Sequence, residues 1–389
     1  MVHRPDGTKP HQAHSRLLPL LLASSLPAAL LWLWLRVGAG ACSTLALYGT
    51  YRLAQRMRPG GDKMVAFTRI LHRTTDDALS PCVPTFRADP LHPGCDGGVP
   101  GRSGRCRYVV ADRPGAVRQF FQAAQLDPTL IKGAWAYLIE TDFLFVKPVL
   151  APGPAESSVR SLGFWYSYVY ADAKVFKSFM PRFYPPGLGP LSEVPRTGPS
   201  PVMARVAEWL RVLPRWEAYS AQIEADAEAS KRLGWVREMY AFSLAVAVER
   251  LDLDLGQSGN STLIIQPPVD LRLGRATQIH YTWGPKLKEG GNDTEFWRFE
   301  KRDWTQQRFE DTAPPVPLPP PWHPGWRTPS ARVGRKGAPT SQEDYELILL
   351  EVNTFNRGLE EVGGSQWREV LGREAAAAAA VARKKRGGG

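Results

Sequence analysis

Cysteine is scarce, at four in 389 residues. That is too few for a disulfide-built scaffold, and a chain of this length does not need one. Three of the four (Cys82, Cys95 and Cys106) follow a C-x12-C-x10-C spacing, which lacks the close ligand pairs of structural zinc sites. In an oxidising compartment Cys82–Cys95 or Cys95–Cys106 could staple the glycine- and proline-rich loop 81–107. The middle of the chain also lacks an excess of charge of either sign. Of the formal net charge of +11, residues 1–63 carry +6 and residues 313–389 carry +3, leaving +2 for residues 64–312. A nucleic-acid groove would put a basic stripe on the folded body. None is visible, and the basic tetrad 383–386 reads as a solvated tail.

Apolar residues make up 43% of the chain and aromatics 10%, enough to build a core and to exclude general disorder. One long run, residues 17–35, carries no charge and is bounded by Arg16 and Arg36. Its length suits a membrane-spanning helix or signal anchor, although Pro19 and Pro27 weaken it. Residues 31–37 (LWLWLRV), followed by Gly38, Ala39 and Gly40, also read as a buried strand entering a glycine turn. In that case 17–30 has the length of a signal-peptide core. Anchor, cleaved signal and first strand all remain open. Two glycosylation sequons, at Asn260 and Asn292, agree with a secretory route.

Along the body, periodicity predicts a helix over 45–57, a strand over 63–71, a strand over 107–111 and a helix over 114–124. A strand follows over 134–146. Helices come next over 205–213 and 216–233, with a break at Pro214, and then over 235–251. Short strands are expected at 262–265 and 278–282. The proline-rich stretch 313–329 should be extended and unpacked, and a last helix covers 344–359. Alternating apolar strands and helices indicate an α/β sheet with covered faces.

Glu140-Thr141-Asp142 is the most informative local feature. Residues two apart on a strand share a face, so the two carboxylates converge near the end of an apolar strand, where ligands bind in open α/β sheets. Like charges there need a cation or donors to neutralise them. Hard oxygen ligands suit Mg²⁺ or Mn²⁺ together with substrate phosphates.

Nine blocks occur in order: AFTRILHR (66–73), VPTFRADPL (83–91), YVVADRPGAVRQF (108–120), YLIETDFLFVKPV (137–149), PSPVMARVAEWLRVLPRW (199–216), LGWVREMYAF (233–242), IIQPPVDL (264–271), IHYTWG (279–284) and EFWRFEKRDW (295–304). Together they resemble the hydroxyproline O-arabinosyltransferases of plants and green algae and the related peptidyl serine α-galactosyltransferases. The resemblance spans about residues 38–310. It implies one large α/β domain of GT-A type, with a mixed central sheet flanked by helices. Residues 1–16 would form a tail, 17–35 the anchor candidate (with 31–40 the alternative first strand), and 311–389 a proline-rich, low-complexity extension.

The resemblance further implies a UDP-sugar donor, a divalent cation (Mn²⁺ or Mg²⁺) and a hydroxyproline-rich protein acceptor, with no nucleic-acid partner. Residence would be the Golgi or ER membrane, facing the lumen. Glu140, Asp142 and His280 are the expected metal ligands. Glu238 and Asp270 are the catalytic candidates, with Arg69 a candidate structural partner for Glu238. Arg298 and Lys301 are candidates for the diphosphate, and Trp235 and Tyr240 for stacking on sugar or acceptor. The arabinosyl branch usually carries Glu-Pro-Asp-His where this chain has Glu140-Thr141-Asp142-Phe143, so the donor sugar stays open. L-Arabinofuranose transfer to hydroxyproline is the first expectation. Galactosyl transfer to serine and an inactive binding protein on the same fold are the alternatives.

Overall fold

A computed structural model describes residues 41–77, 79–91, 108–154, 158–290, 294–301, 315–330 and 335–363. The apolar run 17–35, Cys95, Cys106, the second sequon and the basic tail lie outside the described residues. Among the described residues no helix is long and apolar enough to cross a membrane. Cys82 is an exposed free thiol, and Asn260 of the first sequon is exposed.

The fold is mixed α/β. Helix α1 (Ala41–Arg56) precedes the parallel pair β1 (Arg69–His72) and β2 (Thr85–Ala88). Helix α2 (Asp112–Leu126) leads to β3 (Trp135–Leu138) and β4 (Phe143–Phe145). Strands β5 (Ser161–Phe164) and β6 (Val202–Arg205) are followed by helices α3 (Val206–Ala225), α4 (Ala227–Leu233) and α5 (Arg237–Val248). Then come β7 (Leu253–Gly256), β8 (Ile264–Ile265) and β9 (Gln278–His280). The C-terminal elements are β10 (Lys286–Glu289), β11 (Glu295–Arg298), β12 (Trp326–Ser330), β13 (Arg335–Pro339) and α6 (Gln342–Glu361). Besides β1–β2, the sheets run β3-β6-β5-β7, β4-β9-β8 and β11-β10-β12-β13. The expected single central sheet is thus divided among the described residues, with a cleft between β1 and β3.

Three expectations change for identifiable reasons. The strand predicted over 134–146 is two strands in different sheets, because the chain turns at Thr141 and Asp142. A carboxylate cannot stay inside a ladder buried on both faces without a partner, and the turn carries both acids out of it. The strand predicted over 107–111 is a 3-10 turn at Val109–Ala111 running straight into α2. The break expected at Pro214 does not occur, since α3 continues through it. Proline costs a helix interior about 3 kcal/mol. Here the same helix buries Trp209, Val212, Leu213, Trp216 and Ile223 at helical spacing, and burying each large side chain returns about 1.5–3 kcal/mol.

The C-terminal segment is part of the body rather than an appendage starting at 311. Ser341 caps α6 by accepting the Asp344 N–H (3.1 Å), and Asp344 accepts the Ser341 N–H in return (3.0 Å). The buried face of α6, with Leu347, Ile348, Val352 and Phe355, shares a core with Leu45 of α1 and with Leu144, Ile279 and Phe299. Gly49 and Gly358 let the two helices touch backbone to backbone: a Cβ on Gly49 would lie 1.8 Å from the Gly358 carbonyl oxygen. The proline-rich stretch is packed through its carbonyls, the only backbone polar group proline has. Trp297 donates to Pro317 (2.9 Å), Tyr345 donates to Pro320 (2.8 Å), and Val316 exchanges two bonds with Asn356.

Candidate functional site

The turn between β3 and β4 presents Glu140 and Asp142 at the end of the cleft. Strand β9 pairs antiparallel with β4 so that His280 stands opposite Phe143. Register thereby brings its imidazole to the acid turn, with Nε2 3.3 Å from Asp142 Oδ2. One ligand atom each from Glu140, Asp142 and His280 lie within 4.8 Å of one another. Asp142 and His280 are buried, and Glu140 is half-buried. The Phe143 ring packs on the imidazole at 4.4 Å between centroids, and Gln266 Nε2 lies 2.9 Å from its other nitrogen, Nδ1.

The residues fit a divalent cation on their own chemistry. Asp142 Oδ1 is buried with no hydrogen-bond partner among the described residues, and His280 Nε2 has only its long approach to Asp142 Oδ2, which is costly unless something else partners these atoms. Two carboxylates and an imidazole form a mixed oxygen–nitrogen set of the kind Mn²⁺ accepts. The ligating tautomer of His280 carries its proton on Nδ1, so Gln266 would hold the ring from behind by accepting that proton through Oε1, its amide turned from the orientation that puts Nε2 2.9 Å away.

Lys301 reaches the same turn, its Nζ 2.5 Å from Asp142 Oδ2. Burial alone would raise the Asp142 carboxyl, but His280 and Lys301 outweigh it and hold the group well below the ordinary carboxylate range. Asp142 is therefore ionised throughout the physiological range.

A second carboxylate sits behind the first. Arg113, in the first turn of α2, donates to Glu140 (2.9 Å) and lies 3.5 Å from Glu238 Oε2. Glu238 is 2% exposed, and its Oε1 has no hydrogen-bond partner among the described residues. Burial pushes its pKa up to about 7 against the pull of Arg113, with Glu140 adding to the rise. His72, at the end of β1, is pushed down to about 4 by burial and by Arg113, so it is neutral at pH 7. The cleft that opens at this cluster has a volume of about 720 Å³, and His72, Arg113, Glu140, Asp142 and Lys301 all line it.

The remaining candidates are placed as follows. Asp270 is buried one step behind His280. It accepts the Ser258 hydroxyl and the Gln266 N–H (2.7 Å) and so fixes the loop that carries Gln266. It does not line the cleft. Trp235 is 68% exposed beside Tyr108, whose hydroxyl donates to the Trp235 carbonyl (2.6 Å). Arg298 is exposed on β11, 3.5 Å from Glu295. Tyr240 is core: its hydroxyl bridges the Tyr168 carbonyl and the Tyr170 N–H. Arg69 pairs with Asp77 (2.6 Å), so the partner of Glu238 is Arg113 instead.

Sequence reasoning missed Arg113, His72 and Gln266. The available signal for Arg113 was its place beside proline in the first turn of a helix. A cation there is unfavourable to the helix dipole and asks for an acidic partner elsewhere.

Comparison with known proteins gives the chain relatives along most of its length. A family model described as the hydroxyproline O-arabinosyltransferase family N-terminal domain matches residues 44–255. Hydroxyproline O-arabinosyltransferase 1 of Arabidopsis thaliana is 32% identical over 282 residues, covering 71% of this chain and 69% of its own. Hydroxyproline O-arabinosyltransferase NOD3 of Pisum sativum is 33% identical over 281 residues, covering 71% and 75%. Hydroxyproline O-arabinosyltransferase PLENTY of Lotus japonicus is 32% identical over 268 residues, covering 67% and 66%. No solved structure matches the chain. With over half its length under the family model and these relatives across two thirds of it, the chain belongs to the hydroxyproline O-arabinosyltransferase family of glycosyltransferases.

Proposed function

We propose that this protein transfers a pentose, L-arabinofuranose, from a UDP-sugar to the hydroxyl of hydroxyproline in secreted, hydroxyproline-rich proteins, on a GT-A-type fold. The convergence of Glu140, Asp142 and His280 at the cleft mouth carries this reading. These three residues would hold Mn²⁺ or Mg²⁺, which when bound supplies a Lewis-acid clamp for the diphosphate leaving group. Asp142, kept ionised, is the firmest anion in the set. Gln266, fixed by Asp270, orients the His280 ring. Lys301 places an ammonium on a flexible stem at the same turn and suits the diphosphate oxygens.

In the transfer the acceptor oxygen bonds to the anomeric carbon, the bond from that carbon to the diphosphate breaks, and the hydroxyl proton leaves. Glu238, with its pKa near 7 and one oxygen unpaired among the described residues, suits a hydrogen bond to a substrate hydroxyl on the acceptor or the donor sugar. Arg113 fixes its position and offsets part of its repulsion by Glu140. The exposed Trp235, three residues before Glu238, offers a face for a sugar or a pyrrolidine ring. The two sequons and the apolar N-terminus agree with a lumen-facing, membrane-attached enzyme of the Golgi or ER.

The test is UDP release with several UDP-sugars against paired hydroxyproline and serine peptides, in Mn²⁺. Arabinofuranose-dependent release on the hydroxyproline peptide alone supports the assignment. Release with UDP-galactose on serine moves it to the galactosyl branch, and donor-independent background alone refutes it.

A further inference from the structure

The sheet β3-β6-β5-β7 fixes what stands beside the acid turn. Strands β3 and β5 both pair antiparallel with β6, so they run in the same direction and finish at the same end of the sheet. The register makes them level, since Leu138 of β3 and Gly163 of β5 both stand opposite Val202. Two residues beyond Leu138 is Glu140, and two residues beyond Gly163 is Trp165. Two interstrand spacings separate the strands, about 10 Å. The end of β3 carries the acid turn; the end of β5 carries an aromatic segment.

Residues 165–170 read Trp-Tyr-Ser-Tyr-Val-Tyr. Tyr166 and Val169 are buried and anchor the segment. The Tyr166 N–H donates to the Arg196 carbonyl (2.7 Å), and its hydroxyl donates to the Ser200 carbonyl (2.7 Å). From α5, the Tyr240 hydroxyl ties down Tyr168 and Tyr170. Burial, then Tyr168, Glu140 and Asp142, raise the Tyr166 phenol well above its ordinary pKa, which agrees with a segment lying within electrostatic reach of the acid turn. The other rings reach the surface: Tyr170 is 41% exposed, and Trp165 and Tyr168 are half-buried.

Arg196 lies against this surface. Its Cζ is 3.8 Å from the centre of the Tyr170 ring and 5.3 Å from that of Trp165. Arg69, Arg113, Arg205 and Arg237 each pair with an acid. Arg196 does not: among the described residues its guanidinium has no acceptor, and its Nε is buried without a partner. Buried donors are normally satisfied, so this one is held for a group from outside the chain. Aromatic faces beside unspent donors suit a ligand that offers flat apolar rings and bare carbonyls. A polyproline II chain is such a ligand, having pyrrolidine rings, no internal hydrogen bonds and a fully solvated backbone. A lone phosphate or carboxylate would use the guanidinium but leave the rings idle.

On the reading that the acceptor is a hydroxyproline-rich protein, we propose that Trp165, Tyr170 and Arg196 form a second seat for the acceptor chain. The seat holds its proline-rich flank in the polyproline II form, with pyrrolidine rings on Trp165 and Tyr170 and the guanidinium donating to backbone carbonyls. One polyproline II turn is three residues and about 9 Å, close to the two strand spacings between this segment and the acid turn. The seat therefore meets residues about one turn away from the one presented at the metal cluster. The enzyme then reads a run of proline and not a lone hydroxyl.

Fluorescence anisotropy of labelled octaproline with the full chain, in the absence of donor and metal, tests this. Octaproline should bind, and a Gly/Ser octapeptide should not. Tyr170→Ala and Arg196→Met should each weaken octaproline binding about tenfold or more, whereas Tyr170→Phe, which keeps the ring, should stay within about threefold of wild type. The probe has no hydroxyl to glycosylate, so it reads the seat apart from sugar transfer. Failure of UDP release with octaproline binding intact would count against the transfer and not against the seat. No octaproline binding by wild type, equal binding of the Gly/Ser peptide, or binding unchanged by both Tyr170→Ala and Arg196→Met would overturn the seat. Binding of octaglutamate in place of octaproline would show a guanidinium reserved for anions and overturns it equally.

Discussion

Glu238 offers a test that depends on the sign of one titration. Its carboxyl is raised from 4.5 to about 7 in the folded protein, so the folded state holds the proton more tightly than the unfolded chain does. The stability tied to that proton is fully present below pH 4.5 and is lost as pH rises through about 7. Glu238→Gln keeps the site neutral at every pH. The stability difference between variant and wild type, followed by urea unfolding from pH 4.5 to 8, should start near zero and grow in favour of the variant by about 1–3 kcal/mol. A flat difference would mean that Glu238 is ionised in the fold.

Lys301 makes a second prediction. Its ammonium neutralises the carboxylate that a cation would need, so Lys301→Met should tighten Mn²⁺ binding in the absence of nucleotide, by about three- to tenfold, and weaken UDP binding. Calorimetry with each ligand separately checks both signs. The acid pair was legible because two acids spaced by two on an apolar strand are costly without a cation or donors, whereas His280 was reached largely through the family resemblance. Arg113 was legible only as a cation out of place in the first turn of a helix; which acids it meets was not. Only the approach of α2 to the turn after β3 and to α5 gives it partners.

At the scale of elements, the crossing of α1 and α6 depends on two glycines whose backbones meet. Gly49→Ala should force the helices apart and cost about 1–3 kcal/mol, read as a lower urea midpoint with an unchanged slope. On the same helix pair, Glu351 of α6 is fully buried, and among the described residues neither carboxyl oxygen has a hydrogen-bond partner. Burial raises its pKa well above the ordinary value. Glu351→Leu should therefore stabilise the protein at neutral pH by about 1–3 kcal/mol, and a loss instead would reveal a partner for the carboxylate. Helices with an apolar stripe (α1, α2, α5 and α6) could be read from periodicity to within a few residues. Pro214 misled because local propensity lost to the burial of Trp209 and Trp216 on the same helix. The 134–146 strand misled because periodicity does not register a turn between two apolar halves, although the acids at 140 and 142 marked the place.

For the whole molecule, composition suggested a catalytic body with a proline-rich extension, but the last helix belongs to the core. Proline density describes backbone freedom, not whether carbonyls find donors, and Trp297, Tyr345 and Asn356 supply them here. The charge reading carries over better: the site cluster combines Glu140, Asp142 and Glu238 with Arg113 and Lys301, a local balance within a body of nearly balanced charge. What joins fold to function is the single corner where the ends of β1, β3 and β9 and the first turn of α2 meet. The measurement that bears most directly on it is calorimetric titration of the full protein with Mn²⁺ and UDP, for wild type, Asp142→Ala and Glu351→Gln. Wild type and Glu351→Gln should bind UDP only with Mn²⁺, and Asp142→Ala should lose that binding. Equal binding by all three, or none by the wild type, would rule out the Glu140–Asp142–His280 metal site.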